Sequence, residues 1–398
     1  MITRKNLLRV GAQALFLFAM SDSIPTILQV LPRLQSGGVE RGTIEITDAI
    51  RTEGMKPIVA SAGGPLIPHI THAGGEHVTM PLDRKNPLII RQNAWRLYQL
   101  IKAKNVNIVH ARSRAPAWSA YYAAKWANIP FLTTFHGLYG TQNQFKRRYN
   151  SVMVKGERVI AVSRFVMEHI METYGVDATK IRLIPRGVDL NLFDEKRAVP
   201  ERIAQLTKSW RLPDEPVPII FCPGRISRIK GQHILIDALA QMKDDAFLCI
   251  IAGADTGHED YREELQKQIA SAGLEGKVRL AEPTQAMAEA YLLSDLVVVP
   301  SIKPEAFGRV AIEAQAMGRV VVATDHGGAR ETIIPNETGY LVPPGDAASM
   351  AAAMRYALAR DEATVQGMSQ YAMQHIHRHF TAMQMKNKTI DVYRELLA

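Results

Sequence analysis

Two glutamates eight positions apart, Glu305 and Glu313, lie on either side of a Phe307-Gly308 turn. A carboxylate accepts hydrogen bonds in a geometry that suits neighbouring hydroxyl groups, such as those of a sugar or a ribose. A short helix is expected after the turn, and its first backbone N–H groups, at about Gly308 to Val310, suit a pyrophosphate. The segment therefore predicts contacts with both ends of a nucleotide-linked sugar, with Glu305 at the hexose and Glu313 at the ribose.

A basic, glycine-containing loop lies between a predicted strand and a predicted helix. In this loop Arg225 and Lys230 can converge on a diphosphate, the guanidinium through two hydrogen bonds and the ammonium as a point charge. Gly224 and Gly231 allow the backbone to approach a ligand closely. A solvated basic loop would have a similar composition, but the position between strand and helix favours phosphate binding.

Weaker candidates lie in the first half of the chain. His136 follows a predicted strand and could donate or accept a hydrogen bond near a reacting sugar, although a structural role is equally compatible. Gly37 and Gly38 could let the backbone approach the transferred group, but an ordinary tight turn would look the same. Arg186 could add positive charge to the site, or could simply belong to a turn.

The length of the chain indicates its number of domains, and the distribution of charge limits its binding partners. A chain of 398 residues is too long for one ordinary core and predicts two domains. Residues 1–200 contain 27 Lys and Arg against 14 Asp and Glu, whereas residues 201–398 contain 21 against 25. The first half therefore favours an anionic partner, such as lipid headgroups or a phosphorylated glycolipid, unless it is only a solvated basic face. The sequence contains no RNA-binding signature, so it does not support a nucleic-acid partner.

The two cysteines, Cys222 and Cys249, lie in apolar runs and are predicted to be buried reduced thiols of a cytosolic protein. Neither cysteine is interpreted as part of a metal site, and no zinc-ligand spacing occurs. The sequence contains no run of 18 or more uninterrupted apolar residues, so no membrane-spanning helix is predicted. Residues 1–23 are basic and then mostly apolar, as in a weak signal peptide, a membrane-surface anchor or an over-extended start.

Short β-branched runs alternate with amphipathic stretches, which is typical of parallel βαβ units and predicts an α/β fold. We expect two doubly wound, Rossmann-like domains that face a shared cleft: an acceptor-binding domain at 24–199 and a nucleotide-sugar-binding domain at 218–374. Residues 200–217 are polar, contain prolines and show no apolar periodicity, so they are interpreted as a linker. The end of the chain, 375–398, is expected to be a helix able to pack back on the first domain. The predicted strands lie at 26–31, 56–60, 106–110, 131–135, 158–162, 181–184, 218–222, 247–252, 278–280, 296–299 and 320–323.

Together these features resemble the retaining glycosyltransferases of family 4, whose two-domain architecture is called GT-B. The resemblance extends over nearly the whole chain from Ile24, and its most specific motif is the Glu pair with its Phe-Gly turn. Where Arg186 stands, the family commonly has Asn. The other motifs follow in the expected order: Gly37-Gly38, His136-Gly137, Val162-Ser163, 184–189, Gly224-Arg225 with Lys230-Gly231, and 339–343.

The resemblance implies a role for each matching position. Arg225 and Lys230 would neutralise the donor diphosphate in place of a metal ion. The resemblance therefore implies neither a metal nor a cofactor, and the sequence has no convincing Asp-x-Asp metal site. Glu313 would hold the ribose and Glu305 the hydroxyls of the donor sugar. The remaining implied positions are the 307–310 amides (Phe307, Gly308, Arg309, Val310) at the β-phosphate, Gly224 in the phosphate loop, Gly38 at the phosphates or the acceptor, His136 near the sugar, and Gly37 and Arg186 toward the acceptor.

The implied reaction is transfer of a hexose from a UDP- or GDP-sugar to a lipopolysaccharide, glycolipid or polysaccharide intermediate. The protein is expected at the inner face of the cytoplasmic membrane, as a peripheral protein. Front-face attack would retain the anomeric configuration, because no carboxylate suited to a double displacement is evident. The alternatives are a sugar-nucleotide epimerase or phosphorylase of the same fold, and a non-catalytic membrane-surface binding protein. A Rossmann dehydrogenase is disfavoured, because no glycine fingerprint follows a strand.

Overall fold

The computed structural model describes residues 24–35, 37–139 and 143–398. The predicted N-terminal extension, 1–23, lies outside the described residues, and so does Ser36 beside the glycine pair. None of the helices in the described ranges has both the length and the apolar character needed to cross a membrane.

The first sheet has seven strands, which are numbered in chain order. They are β1 (Thr26–Val30), β2 (Lys56–Ser61), β3 (Glu76–Thr79), β4 (Val106–Ala111), β5 (Phe131–Phe135), β6 (Arg158–Ala161) and β7 (Ile181–Leu183). Their spatial order is β3-β2-β1-β4-β5-β6-β7. The order reverses between β1 and β4, and doubly wound sheets bind ligands at such a switch point. Gly37 and Gly38 follow β1 in the chain.

The second sheet has six strands, and its strand order also reverses within the sheet. The strands are β8 (Ile219–Pro223), β9 (Leu248–Ala252), β10 (Val278–Ala281), β11 (Leu296–Val299), β12 (Val320–Thr324) and β13 (Gly339–Val342). The spatial order is β10-β9-β8-β11-β12-β13, and the neighbouring strands pair in parallel. The switch point falls between β8 and β11. The loops that follow these two strands carry Lys230 and Glu305.

Helices connect the strands and cover the sheets. They are α1 (Gly38–Thr52), α2 (Ile67–His72), α3 (Pro87–Ala103), α4 (Arg114–Ala127), α5 (Gln144–Asn150), α6 (Arg164–Tyr174), α7 (Pro200–Ser209), α8 (Gln232–Ala240), α9 (Glu259–Ser271), α10 (Met287–Leu292), α11 (Arg309–Ala316), α12 (Ala329–Thr332), α13 (Ala347–Leu358), α14 (Glu362–His379) and α15 (Ala382–Leu397).

The predicted α/β fold with two parallel sheets is confirmed, and every predicted strand is present. Two further strands, β3 and β13, were not predicted. The expectation that 200–217 lacks apolar periodicity was wrong, because α7 occupies part of it and buries Leu206, and Trp210 is buried directly after the helix. The domain boundaries themselves stay a prediction.

Contacts divide the chain into two compact units. The first contains the chain up to Thr133 together with Lys155–Glu157 and Tyr393–Ala398; the second contains Thr134–Val154 and Arg158–Val392. This division does not coincide with the predicted boundaries. Within the first unit the Tyr393 hydroxyl lies 2.7 Å from Nδ1 of His110, and both side chains are buried. The last residues of the chain are therefore part of the core of that unit.

Candidate active site

The loops that follow β8 and β11 bring Lys230 and Glu305 together. Lys230 Nζ donates a hydrogen bond to Glu305 Oε1 at 2.8 Å, which makes the pair an ion pair. The Ser301 hydroxyl donates to the same carboxylate oxygen at 2.5 Å. Both charged side chains are largely shielded from solvent, with 26% and 22% of their surface exposed. Two of the residues predicted for the site are therefore in direct contact.

The Glu305 carboxyl is held in its ionised form by its neighbours. Burial raises its pKa, but the charge of Lys230 and hydrogen bonds from Lys230 and Ser301 lower it. His326 lowers it further, and the net pKa lies below the ordinary value. A fixed carboxylate of this kind can accept hydrogen bonds from sugar hydroxyls.

Glycines allow the loops around Glu305 to approach each other closely. A Cβ on Gly231 would lie 1.9 Å from the Pro300 carbonyl oxygen, and one on Gly327 would lie 2.4 Å from the Glu305 carbonyl oxygen. Gly327 also has a φ of +58°, which side chains rarely tolerate. The Gly328 N–H donates to the Glu305 carbonyl at 2.9 Å. The segment before α12 thus fixes the backbone that carries Glu305.

Glu313 lies on α11 with only 6% of its surface exposed. Arg309 Nη2 donates to Oε1 at 2.9 Å, and the Tyr291 hydroxyl donates to Oε2 at 3.2 Å. The sequence analysis expected a buried carboxylate to need a partner, and the structure provides two from the protein itself. These bonds use two of the about four acceptor positions of a carboxylate, and the ribose contact of Glu313 stays a prediction.

The start of α11 has the features of an anion-binding helix terminus. Gly308 precedes the helix in the left-handed conformation, with φ +87°. The first N–H groups of a helix have no partner inside it and lie at the positive end of the helix dipole. Phe307 is buried, with its ring centroid 5.7 Å from that of Phe380, and Ser163 Oγ donates to the Ala306 carbonyl at 2.6 Å. The turn is therefore anchored on two sides.

Arg225 lies in a different environment from Lys230. Its side chain is exposed and lines a cavity of about 400 Å³ together with Arg228 and Tyr261. The Arg228 guanidinium lies 5.1 Å from the Tyr261 ring centroid. Neither Lys230 nor Glu305 lines this cavity. Convergence of Arg225 and Lys230 on one diphosphate stays a prediction.

The remaining predicted residues are spread over other loops. His136 directly follows β5 and is half-buried; Gly37 and Gly38 are exposed at the start of α1. Gly224 has a φ of +146° and open space where a side chain would be. Arg186 is 5% exposed, and next to it a Cβ on Gly187 would lie 2.3 Å from Thr381 backbone atoms. The catalytic and acceptor roles of these residues stay predictions.

Sequence reasoning missed three side chains that contact or influence the glutamate pair. Ser301 and Tyr291 bind the two carboxylates directly. His326 lowers the pKa of Glu305, and within the described ranges neither of its buried ring nitrogens has a hydrogen-bond partner. Buried polar atoms of native proteins are generally hydrogen-bonded, so these nitrogens are candidates for contact with a ligand. In the sequence, only the position of His326 directly before Gly327-Gly328 could have indicated a role in the site.

The part of the chain that the structure describes contains no group of three or more His, Cys, Asp or Glu side chains arranged to hold a metal ion. Metal independence stays a prediction.

The two sheets, with a glutamate pair at the switch point of the second, define the class of protein. Residues 36–192 match the family Glycosyltransferase Family 4, and residues 206–375 match Glycosyl transferases group 1. A glycosyltransferase structure from Rickettsia africae is 40% identical, with a TM-score of 0.88 over 94% of this chain and 99% of that one. The chain therefore belongs to the GT-B glycosyltransferases of family 4 and is an enzyme of the transferase class.

More distant relatives agree with this assignment. A D-inositol 3-phosphate glycosyltransferase from Geodermatophilus obscurus is 26% identical over 375 residues, which cover 87% of this chain and 79% of the relative. The structure of HepE from Anabaena in complex with UDP-glucose is 23% identical, with a TM-score of 0.81 over 93% of this chain and 99% of that one. At that identity the structural match concerns the fold alone.

Proposed function

We propose that this glycosyltransferase moves a hexose, with retention of anomeric configuration, from a UDP- or GDP-sugar to an anionic glycolipid or polysaccharide intermediate, such as a lipopolysaccharide core. The observation that carries this proposal is the shielded Lys230–Glu305 ion pair four residues before α11. The segment 305–310 contains a hydroxyl acceptor and a helix N-terminus, and the loop after β8 brings the cation Lys230 into contact with it. A sugar diphosphate needs these three groups.

Each group has a distinct part in the proposed reaction. Lys230 donates a hydrogen bond to a diphosphate oxygen, and Glu305 accepts hydrogen bonds from sugar hydroxyls. The N–H groups at Arg309 and Val310 stabilise the charge that develops on the leaving diphosphate. Glu313 holds the ribose. The acceptor hydroxyl attacks from the face that the diphosphate leaves, and a diphosphate oxygen takes its proton, without a metal ion.

Two relatives support the choice of substrates. HepE was crystallised with UDP-glucose, which supports a nucleotide-sugar donor. The relative named for D-inositol 3-phosphate has an anionic acceptor by that name, which agrees with the excess of basic residues in the first half of this chain. The proposed location is the inner face of the cytoplasmic membrane.

A donor screen tests the proposal. UDP-glucose, UDP-galactose, GDP-mannose and UDP-N-acetylglucosamine are titrated into the wild type, Lys230→Ala and the control Lys243→Ala, whose lysine is exposed. We expect one donor to bind the wild type and the control equally, and to bind Lys230→Ala at least about tenfold more weakly, since a charge-assisted hydrogen bond contributes ~1.5–3 kcal/mol. Failure of all four donors to bind the wild type would refute the proposal.

The acceptor is tested separately with the donor that binds. Sugar transfer is measured to D-inositol 3-phosphate and to a truncated lipopolysaccharide core. Transfer only to the core supports the glycolipid acceptor. Transfer only to the inositol phosphate would contradict the glycolipid acceptor and indicate a small phosphorylated acceptor instead.

A further inference from the structure

The outer side of α3 and α4 in the first unit carries a continuous series of aromatic rings, here called the aromatic row. Trp95 and Tyr98 of α3 lie 5.5 Å apart, measured between ring centroids, and Tyr98 lies 6.3 Å from Trp126 of α4. The row continues along α4 from Trp126 to Tyr122 at 6.2 Å and from Tyr122 to Trp118 at 5.6 Å. Five rings therefore form one connected surface across two neighbouring helices.

Much of this surface is open to solvent. Trp95 is 56% exposed, Trp126 48% and Tyr122 39%, and Leu88 at the start of α3 is 73% exposed. The opposite side of α3 already buries its own apolar residues in the core of the unit. The exposed rings are therefore not needed to hold α3 in place. Contiguous exposed apolar surface of this kind marks an interaction site.

The charged residues of the two helices that carry the aromatic row are all basic. Residues 84–133 contain nine Lys and Arg and no Asp or Glu, although Arg112 is buried and Lys104 pairs with Glu76. Arg91, Arg96 and Lys102 of α3 and Lys125 of α4 are all exposed. Lys155 Nζ lies 5.8 Å from the Tyr121 ring centroid beside the row. The surface therefore attracts anions and repels a second copy of itself.

Helical spacing places the apolar and the basic residues side by side. Leu88, Arg91, Trp95, Tyr98 and Lys102 recur every three or four residues and so share one stripe of α3. Tryptophan and tyrosine favour the headgroup level of a bilayer, and Lys and Arg bury their stems while their charges contact anionic lipids. This combination is the composition of an interfacial membrane-binding surface.

We propose that the aromatic row and its flanking cations dock on the surface of an anionic phospholipid bilayer. The rings pack on one another, whereas a single-stranded nucleic acid needs rings free for base stacking. This inference rests on the membrane location given in the proposed function and names the surface that contacts the membrane. It does not require the transfer reaction, so the two can fail separately.

The test is co-sedimentation of the full-length protein with vesicles of phosphatidylglycerol and phosphatidylethanolamine, and with vesicles of phosphatidylcholine alone. The variants are Trp95→Ala/Trp126→Ala and Arg91→Gln/Lys125→Gln. The matched controls replace exposed residues of the second unit: Tyr371→Ala/Leu192→Ala and Lys243→Gln/Lys267→Gln. We expect binding to the anionic vesicles only, weakened by about thirtyfold in the cation variant, since each cation near the surface contributes ~1 kcal/mol. The tryptophan variant should lose at least about tenfold.

Unchanged thermal unfolding and unchanged donor binding of the variants show that only the docking surface was altered. Equal binding of wild type and both variants to anionic vesicles, or no binding of the wild type, would overturn the proposal. It would also be overturned if the tryptophan variant abolished a dimer, or binding to single-stranded nucleic acid, while vesicle binding persisted.

Discussion

Lys230 and Glu305 form an ion pair with an N–O distance of 2.8 Å, although 75 positions separate them in the chain. Each follows one of two strands, β8 and β11, that pair in parallel at the switch point of the second sheet. The Ile302 N–H donates to the Ile229 carbonyl at 3.0 Å, which ties the two loops together next to the ion pair. The sheet topology therefore creates the central contact of the candidate site.

Replacing either partner of this pair is expected to reduce activity strongly. Glu305→Gln or Lys230→Met should lower kcat/KM by about 10²–10³, because each removes a preorganised interaction that the proposed function assigns to the donor. Each single variant also leaves a shielded charge without its partner, which should lower the free energy of unfolding. The double variant should recover stability but not activity. Recovery of activity in the double variant would contradict the role in donor binding.

Glu313→Gln should weaken the binding of free UDP or GDP and of the nucleotide-sugar by the same factor, roughly tenfold, since the ribose is common to both ligands. Glu305→Gln should weaken binding of the nucleotide-sugar but spare the free nucleotide. Calorimetric titration of both ligands measures this difference. The exposed Glu337→Gln serves as the control. A Glu313 variant that discriminates between the two ligands would assign that carboxylate to the sugar instead.

Gly327→Ala should destabilise the fold and lower activity, because its Cβ would lie 2.4 Å from the Glu305 carbonyl oxygen. The expected loss is about 2 kcal/mol or more in the free energy of unfolding, from the clash together with backbone strain. Gly273→Ala is the matched control, since Gly273 also has a positive φ, +69°, but has no atom within 4 Å of a Cβ. Denaturant unfolding compares the two variants. Equal losses would mean that the close approach to Glu305 contributes nothing.

His110 should make the stability pH-dependent. Burial, with a further effect of Arg112, lowers the pKa of His110 well below its ordinary value, so the folded protein keeps this imidazole neutral. The unfolded chain takes up the proton below about pH 6.5. Stability should therefore fall as the pH falls below that value, by up to about 1.4 kcal/mol per pH unit from this group.

Urea unfolding at several pH values between neutral and mildly acidic measures this slope. His110→Gln removes the titrating group and should flatten the dependence, although it also loses the contact with Tyr393 and lowers stability overall. The exposed His72→Gln should leave the slope unchanged. Identical slopes for the wild type and His110→Gln would show that His110 does not govern the effect.

The two strands that sequence reasoning missed have evident physical reasons. β3 is a half-exposed edge strand of polar sequence, Glu76–Thr79, and lacks the apolar run by which the other strands were recognised. β13 is a short edge strand, Gly339–Val342, that begins at a glycine. The helix α7 was overlooked because its few apolar residues are separated by polar ones, and only packing makes Leu206 and Trp210 part of a core.

The amino-acid sequence by itself determined the alternation of strands and helices, the glutamate pair around the Phe-Gly turn and the basic character of the first half. These are properties of neighbouring residues and their spacing. Only the tertiary structure decided that Lys230 meets Glu305, that Arg309 and Tyr291 hold Glu313, and that rings from α3 and α4 form one surface. The order of strands and the packing of helices bring distant residues together, and local periodicity carries no information about that order.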